Sequence, residues 1–194
     1  MGMTHAETYL AETVQIAREI DYAAIEALAD QLVRLRDREG RLFIAGLGGS
    51  AANASHAAND FRKLCGIEAY CLSDNVAELT ARANDDGWPF CLKDILHASN
   101  PQIGDALLVL SVGGGAVNVS LPICGAVDYA RDHGMAVLAI LGRDGGYTGK
   151  HATACVMVPI VASERVTPHT EGWQGVVLHA LVSHPQVQRN RTKW

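Results

Sequence analysis

No two cysteines in this chain form a Cys-x-x-Cys pair: Cys65, Cys71, Cys91, Cys124 and Cys155 are scattered and odd in number. That spacing excludes a zinc ribbon and a dithiol redox centre, and buried thiols in a reducing cytoplasm account for the set. Long hydrophobic runs are missing too. The most apolar stretches, residues 106–110 and 135–141, are strand-length, whereas a membrane-spanning helix needs about 20 residues. Positive charge is also short, with 16 Lys and Arg against 21 Asp and Glu for a net charge of −5. Without clustered basic residues a nucleic-acid surface is not expected. The first residues lack the basic and apolar pattern of a secretion signal, which points to a cytoplasmic protein. There is no internal repeat and no low-complexity segment.

What the chain does contain is enough apolar material for one packed domain, 48% of 194 residues with 19% charged. Tyr9, Leu10, Val14, Ala17 and Ile20 recur at helical spacing, and Ala24, Leu28, Leu32 and Leu35 form a second stripe ended by Gly40. Two amphipathic helices ahead of the first strand need a surface to cover them, which in a chain this size can belong to another subunit. We therefore assign residues 1–40 to oligomer packing and residues 41–194 to a single α/β domain. In that domain apolar runs at 42–45, 67–71, 106–110, 135–141 and 154–159 alternate with helical segments at 51–64, 77–83, 121–132 and 170–182, with a short turn after the fourth run. Apolar strands separated by helices indicate a parallel sheet covered on both faces, here a three-layer αβα sandwich of five strands.

In such sheets ligands gather at the carboxyl ends of strands. The first strand runs into Gly46-Leu47-Gly48-Gly49-Ser50-Ala51-Ala52. Glycines permit a sharp turn and close approach to a ligand, Ser50 is a candidate helix cap, and free amides at a helix start favour an anion. A plain tight turn fits the same residues. No Gly-Lys-Ser/Thr follows, so this is not a Walker loop, and the third glycine and ribose-binding acid of a dinucleotide site are absent. His56 and Asp60, four residues apart, share a helix face. They suit a divalent metal or shared acid–base work, or simply a solvated polar face.

Four segments in order give the chain a specific resemblance. Gly46-Leu47-Gly48-Gly49-Ser50-Ala51-Ala52-Asn53-Ala54-Ser55-His56 with Asp60 is the first. Thr80-Ala81-Arg82-Ala83-Asn84-Asp85-Asp86-Gly87 and Gly142-Arg143-Asp144-Gly145-Gly146 are the second and third. The fourth is a C-terminal helix in which Glu171 precedes His179 by eight residues. Over nearly its whole length the chain resembles the phosphoheptose isomerase branch of the sugar isomerase (SIS) domain family.

The resemblance implies a flavodoxin-like sandwich and a homotetramer with active sites between subunits, helped together by the N-terminal helices. It further implies conversion of sedoheptulose 7-phosphate to its aldose isomer, with one zinc at the site. Its metal positions fall on His56, Asp60, Glu171 and His179, and its proton carriers on Asp60 and His179. The substrate-binding positions are Gly48, Gly49, Ser50, Asn53, Asp74, Asn84, Ser111, Gly113, Gly114, Gly115, Ser120 and Glu171. Of these, Asp74 and Asn84, like Ser73 and Asn75, are expected to meet sugar hydroxyls because they follow strand ends. Eight helical residues rise about 12 Å, so Glu171 and His179 could share one ion only by leaning inward, with Gly172 and Gly175 loosening the helix start.

Three departures from the family pattern matter. Asp60 replaces a Glu, Glu171 replaces a Gln, and the Ser-Thr-Ser-Gly-x-Ser phosphate loop is here Ser111-Val112-Gly113-Gly114-Gly115-Ala116. Its glycines could form an anion nest, and Ser120 could cap the next helix. The loss of hydroxyls keeps a second function open, a non-catalytic SIS protein that senses a sugar phosphate or scaffolds a partner. One paralogous group in the family binds the bacterial replication initiator instead of catalysing. His56, Asp60 and His179 argue against that reading, and a nicotinamide-dependent dehydrogenase is a distant third. Trp88, Trp173 and Trp194 are expected at packing or interface positions, His169 is a minor candidate for substrate contact, and His5, His97, His133, His151 and His184 carry no assignment.

Overall fold

The computed structural model describes residues 2–192; Trp194 lies outside them. Five parallel strands, β1 (Leu42–Gly46), β2 (Ala69–Cys71), β3 (Ala106–Ser111), β4 (Ala136–Leu141) and β5 (Ala154–Met157), form one sheet in the order β2-β1-β3-β4-β5. Eight α-helices accompany them: α1 (His5–Glu19), α2 (Tyr22–Asp37), α3 (Gly49–Asp60), α4 (Val76–Arg82), α5 (Cys91–Ala98), α6 (Leu121–Asp132), α7 (Gly146–His151) and α8 (Val166–Val182). The expected three-layer sandwich is what the chain builds.

The alternation of side chains along a strand separates the two faces. Leu42, Ile44, Leu108, Leu110, Leu138 and Ile140 pack with α1, α2, α3 and α8, through Ile16, Leu28, Leu32, Ala57 and Leu178. Phe43, Leu107, Val109, Val137 and Ala139 pack on the other side with α5 and α6, through Leu92, Leu96, Ile123 and Ala126. Burying each large aliphatic side chain contributes roughly 1.5–3 kcal/mol. The strands are therefore apolar throughout rather than alternating, which is why they stood out as runs.

Several boundaries moved. The second strand starts at Ala69 rather than 67, because Phe61–Cys65 form a π turn closed by Gly66 in the left-handed region (φ 65°) and by an Ile67 amide donating to the Phe61 carbonyl at 3.1 Å. That turn also takes the last residues expected of the third helix. Helix α5 was not foreseen; its buried Cys91, Leu92, Ile95 and Leu96 mark one face directly after Trp88-Pro89-Phe90. The turn expected after β4 contains the short helix α7. All five cysteines are free, and Cys65, Cys71 and Cys91 are buried. Burial pushes the Cys65 thiol up to about 12 and that of Cys155 to about 11, which leaves both inert as nucleophiles.

Helix α1 starts at a capping box, in which the Thr4 side chain accepts from the Glu7 amide and Glu7 accepts from the Thr4 amide. Its buried contacts are Ile16 and Ile20, while Leu10 and Val14 remain 63% and 49% exposed. It is fastened to the start of α8 by a polar clamp. Arg165 Nε donates to Glu12 at 2.8 Å, His169 Nε2 meets the same carboxylate at 2.8 Å, and Tyr9 stacks on the His169 ring at 4.4 Å. Hydrogen bonds from Arg165 and then His169 hold the Glu12 carboxyl down at about 2, against 4.5 ordinarily. A depressed carboxylate stabilises the fold above its unfolded value and loses that contribution as pH falls through its folded one. The melting-temperature deficit of Glu12→Gln relative to wild type is therefore expected in full at pH 6, to shrink as pH falls below 4.5 and to approach zero only below about 2. A deficit that does not change with pH would remove the clamp's charge from the account.

Candidate active site

Strand order reverses between β1 and β3, the place where an open α/β sheet leaves a crevice beyond its strand ends. Helix α3 leads directly out of that crevice. Its cap is Gly48 at φ 61°, with no side-chain cap bond, so Ser50 is not the cap expected of it but a buried residue of the first turn. A methyl on Gly46 would come within 2.6 Å of the Ser50 backbone, so only glycine lets strand and helix approach this closely.

Along α3, His56 and Asp60 face α8, and there they meet His179. His56 Nε2 lies 3.0 Å from Asp60 Oδ2 and 3.1 Å from His179 Nε2, and His179 Nε2 lies 3.8 Å from the same Asp60 oxygen. Asp60 is 8% exposed, and Asn59 Nδ2 donates to its other oxygen, Oδ1, at 3.0 Å. Both imidazoles are more than half exposed. Two ring nitrogens turned toward each other and one carboxylate oxygen would repel if all were lone pairs. A proton or a cation must lie among them. The group borders a cavity of about 560 Å³ that Lys63, Ser183, Gln188 and Thr192 also line.

A second, smaller cavity of about 160 Å³ lies at the strand ends, lined by Ser50, Ser111, Gly113, Ser120, Arg143, Thr167 and Glu171 among others. Glu171 belongs here and not with the histidines. Helix α8 is continuous from Val166 to Val182 and is not loosened at Gly172 or Gly175, so the rise between Glu171 and His179 is not recovered. The Glu171 carboxylate instead lies against Gly49, where an added Cβ would be 2.5 Å from Oε2. Among the described residues, the His, Cys, Asp and Glu side chains converging as a possible metal group are His56, Asp60 and His179 alone.

Other expected site residues fall differently. The Asn53 side chain donates to the Glu171 carbonyl (2.9 Å) and to Gln174 Oε1 (3.0 Å), fastening α3 to α8. Ser120 sits in the left-handed region at φ 55° and makes no cap bond. The glycine loop is not an open nest. The Gly114 amide donates to Ser111 Oγ at 3.0 Å, and the carbonyls of Gly114 and Gly115 accept from the amides of Thr148 (2.9 Å) and Tyr147 (2.8 Å). Gly48 is exposed at the cap. Asp74 lines a separate groove with Ser55, Arg62 and Lys63, and exposed Asn84 donates to Asp85; neither lines the two cavities above. His169 is buried in the Glu12 clamp, with its Nε2 on the Glu12 carboxylate. Sequence reasoning gave no place to Arg143, Thr167, Asn59 or Lys63. Arg143 had a signal, its position inside the Gly142–Gly146 run.

Residues 8–142 match the family described as the SIS domain. The phosphoheptose isomerase of Laribacter hongkongensis is 32% identical over 86% of this chain and 85% of its own length. That of Chlorobium phaeobacteroides is 37% identical over 71% of this chain, and the chain spans 62% of that relative. The lincomycin biosynthesis protein LmbN of Streptomyces lincolnensis is 30% identical over 94% of this chain and 72% of its length. Among solved structures, a phosphoheptose isomerase from Neisseria gonorrhoeae superposes with a TM-score of 0.78 at 26% identity, covering 90% of this chain and 93% of the other.

Proposed function

Because the chain belongs to the SIS domain family, in its phosphoheptose isomerase branch, we propose that it interconverts a ketose phosphate and its aldose isomer through an enediol, with sedoheptulose 7-phosphate the first candidate substrate. The observation that carries this is the convergence of Asp60, His56 and His179 at the edge of one cavity, with a second polar cavity at the strand ends. The reaction moves a proton between adjacent carbons and needs a carrier for it and help for the oxygens. Asp60 is buried and oriented by Asn59, and its Oδ1 stays off the histidine side to take the carbon-bound proton. His179, on the exposed side of the group, serves the substrate oxygens, as a proton carrier when its Nε2 is free or by helping to hold an ion that polarises them. The pocket formed by Ser50, Ser111 and Thr167 takes the anionic end.

Zinc fits the donor set. Two imidazole nitrogens and one carboxylate oxygen, 3.0 to 3.8 Å apart, bracket the about 3.3 Å between tetrahedral ligands bonded at about 2.0–2.1 Å. His56, Asp60 and His179 would hold the ion and leave a position open. When bound, it supplies Lewis-acid polarisation of the carbonyl. Calorimetric titration of metal-stripped protein is expected to show one zinc per chain, and His56→Ala to weaken it by at least about 100-fold. Equal affinity in the variant would place the metal elsewhere.

The exposed Leu10 and Val14 support assembly of α1 against other copies, and the family resemblance is what suggests a homotetramer in the cytoplasm; sedimentation at the mass of a single chain would refute the assembly. No described helix is long and apolar enough to cross a membrane. The likeness to LmbN supports a second substrate reading, a sugar phosphate used in building a secondary metabolite. The deciding test is incubation with sedoheptulose 7-phosphate in heavy water, followed by proton NMR. Deuterium at carbon 1 or new aldose signals are expected. If this substrate is inert but another ketose phosphate exchanges, the second reading holds. If none exchanges, the chain is no isomerase and acts as a sugar-phosphate sensor or scaffold.

A further inference from the structure

Two glycine turns beside the small cavity are locked into each other. Gly114 (φ 68°) packs so tightly on the Gly145 carbonyl, and Gly146 (φ 51°) on the carbonyls of Gly113 and Gly115, that no Cβ fits at either position. Thr148, fully buried, donates to the Gly114 carbonyl through its amide at 2.9 Å and its hydroxyl at 2.7 Å. Arg143 sits on the second turn, itself in the left-handed region at φ 48°. The interlock thus fixes its backbone relative to the loop at the end of β3. Its side chain lies beside Gly113, whose added Cβ would be 3.8 Å from Arg143 Cδ, and it lines the cavity.

The charges around that cavity make Arg143 stand out. Among the described residues it is the one cation lining the space, and its guanidinium has no hydrogen-bond or ion-pair partner there. At the start of α3, the other natural anion position, the chain's own Glu171 carboxylate lies against Gly49 and would repel an anion there. Val112 and Ala116 offer no hydroxyl, and the Gly114 amide is spent on Ser111. A doubly charged phosphate entering this space would find the hydroxyls of Ser50, Ser111, Ser120 and Thr167 as neutral donors, but it would also face a carboxylate with no compensating charge unless a cation joined it.

We propose that Arg143 is the cationic contact for the phosphate of the substrate, held in place by the interlocked turns, while Glu171 restricts that phosphate to the Arg143 side of the cavity. This rests on the sugar-phosphate reading above and names the group that recognises the anion.

The test compares wild type, Arg143→Gln and Arg143→Lys, all three with a side chain at the same positive φ, after thermal melts establish that each is folded. Each is titrated calorimetrically with inorganic phosphate and assayed with sedoheptulose 7-phosphate and unphosphorylated sedoheptulose. Arg143→Gln is expected to raise KM for the phosphorylated sugar about 10- to 100-fold. Its kcat should stay within about threefold of wild type, its kcat/KM for the free sugar should be unchanged, and Lys should restore part of the loss. Unchanged KM, or equal damage with both sugars, overturns the Arg143 assignment and leaves the isomerase reading standing. Phosphate binding that falls in Arg143→Gln, in a wild type that turns over no ketose phosphate, upholds Arg143 and sinks the isomerase reading. Absence of phosphate binding by wild type overturns the assignment.

Discussion

Asp60→Asn is expected to lower kcat by about 10³-fold, within the 10²–10⁴ range of a lost proton carrier, while KM for the sugar phosphate changes only a few-fold. The substitution is isosteric, so the packing of this buried side chain is preserved. What changes is its hydrogen-bonding character. Asn59 donates to Oδ1 at 3.0 Å, which would fix the new amide with its oxygen toward Asn59 and its NH2 toward the two imidazoles. An acceptor 3.0 Å from His56 Nε2 becomes a donor that cannot hold zinc, and the neutral amide oxygen left at the Oδ1 position is far too weak a base to take a proton from carbon. The proposed grip on the substrate's anionic end lies in the separate cavity lined by Ser50, Ser111 and Arg143, hence the expected split between kcat and KM. The measurement is steady-state kinetics by NMR, with a thermal melt to establish the fold. A kcat within tenfold of wild type would exclude Asp60 as the proton carrier.

That experiment depends on a meeting of residues only partly legible in the sequence. His56 with Asp60 was readable because a four-residue interval puts two side chains on one helix face, whatever surrounds them. His179 lies 123 residues beyond His56, and no local period connects them; its place came from the order of motifs. Glu171 shows the limit of that transfer. Residue count alone gives a rise of about 12 Å between it and His179, and the uninterrupted helix α8 keeps them apart, one at each cavity. The strands were legible because both faces of a covered parallel sheet are apolar, whereas α5 is short and follows an aromatic-proline run that reads as a break. Least legible were the glycines at 113–115. An open anion nest and a backbone packing surface require the same residue type. Only the position of Gly145 and Gly146, about thirty residues along the chain, decides between them.

That decision can be tested at Gly114. Alanine there must adopt φ 68°, a left-handed conformation that costs an L-residue about 1–2 kcal/mol. The steric clash costs more. The new methyl would overlap the Gly145 carbonyl, which is backbone, and no side-chain rotation relieves it. Moving the turns apart breaks the amide and hydroxyl bonds from Thr148 and the amide bond from Tyr147, and strands the buried Thr148 hydroxyl. An unsatisfied buried polar group costs about 1–3 kcal/mol more. Gly114→Ala is therefore expected to lose at least about 4 kcal/mol, which for a chain of this size lowers the melting temperature by about 10 °C or more. Gly172→Ala is the matched control, since a Cβ there meets nothing within 4 Å, on an exposed turn of α8. Helix propensity alone predicts a gain of up to about 1 kcal/mol at that site. If Gly114→Ala melts with wild type, the two turns are not interlocked and the glycines are free to act as an anion nest. If it is destabilised and the remaining folded protein also binds inorganic phosphate more weakly, the packing of these turns is what holds Arg143 over the site.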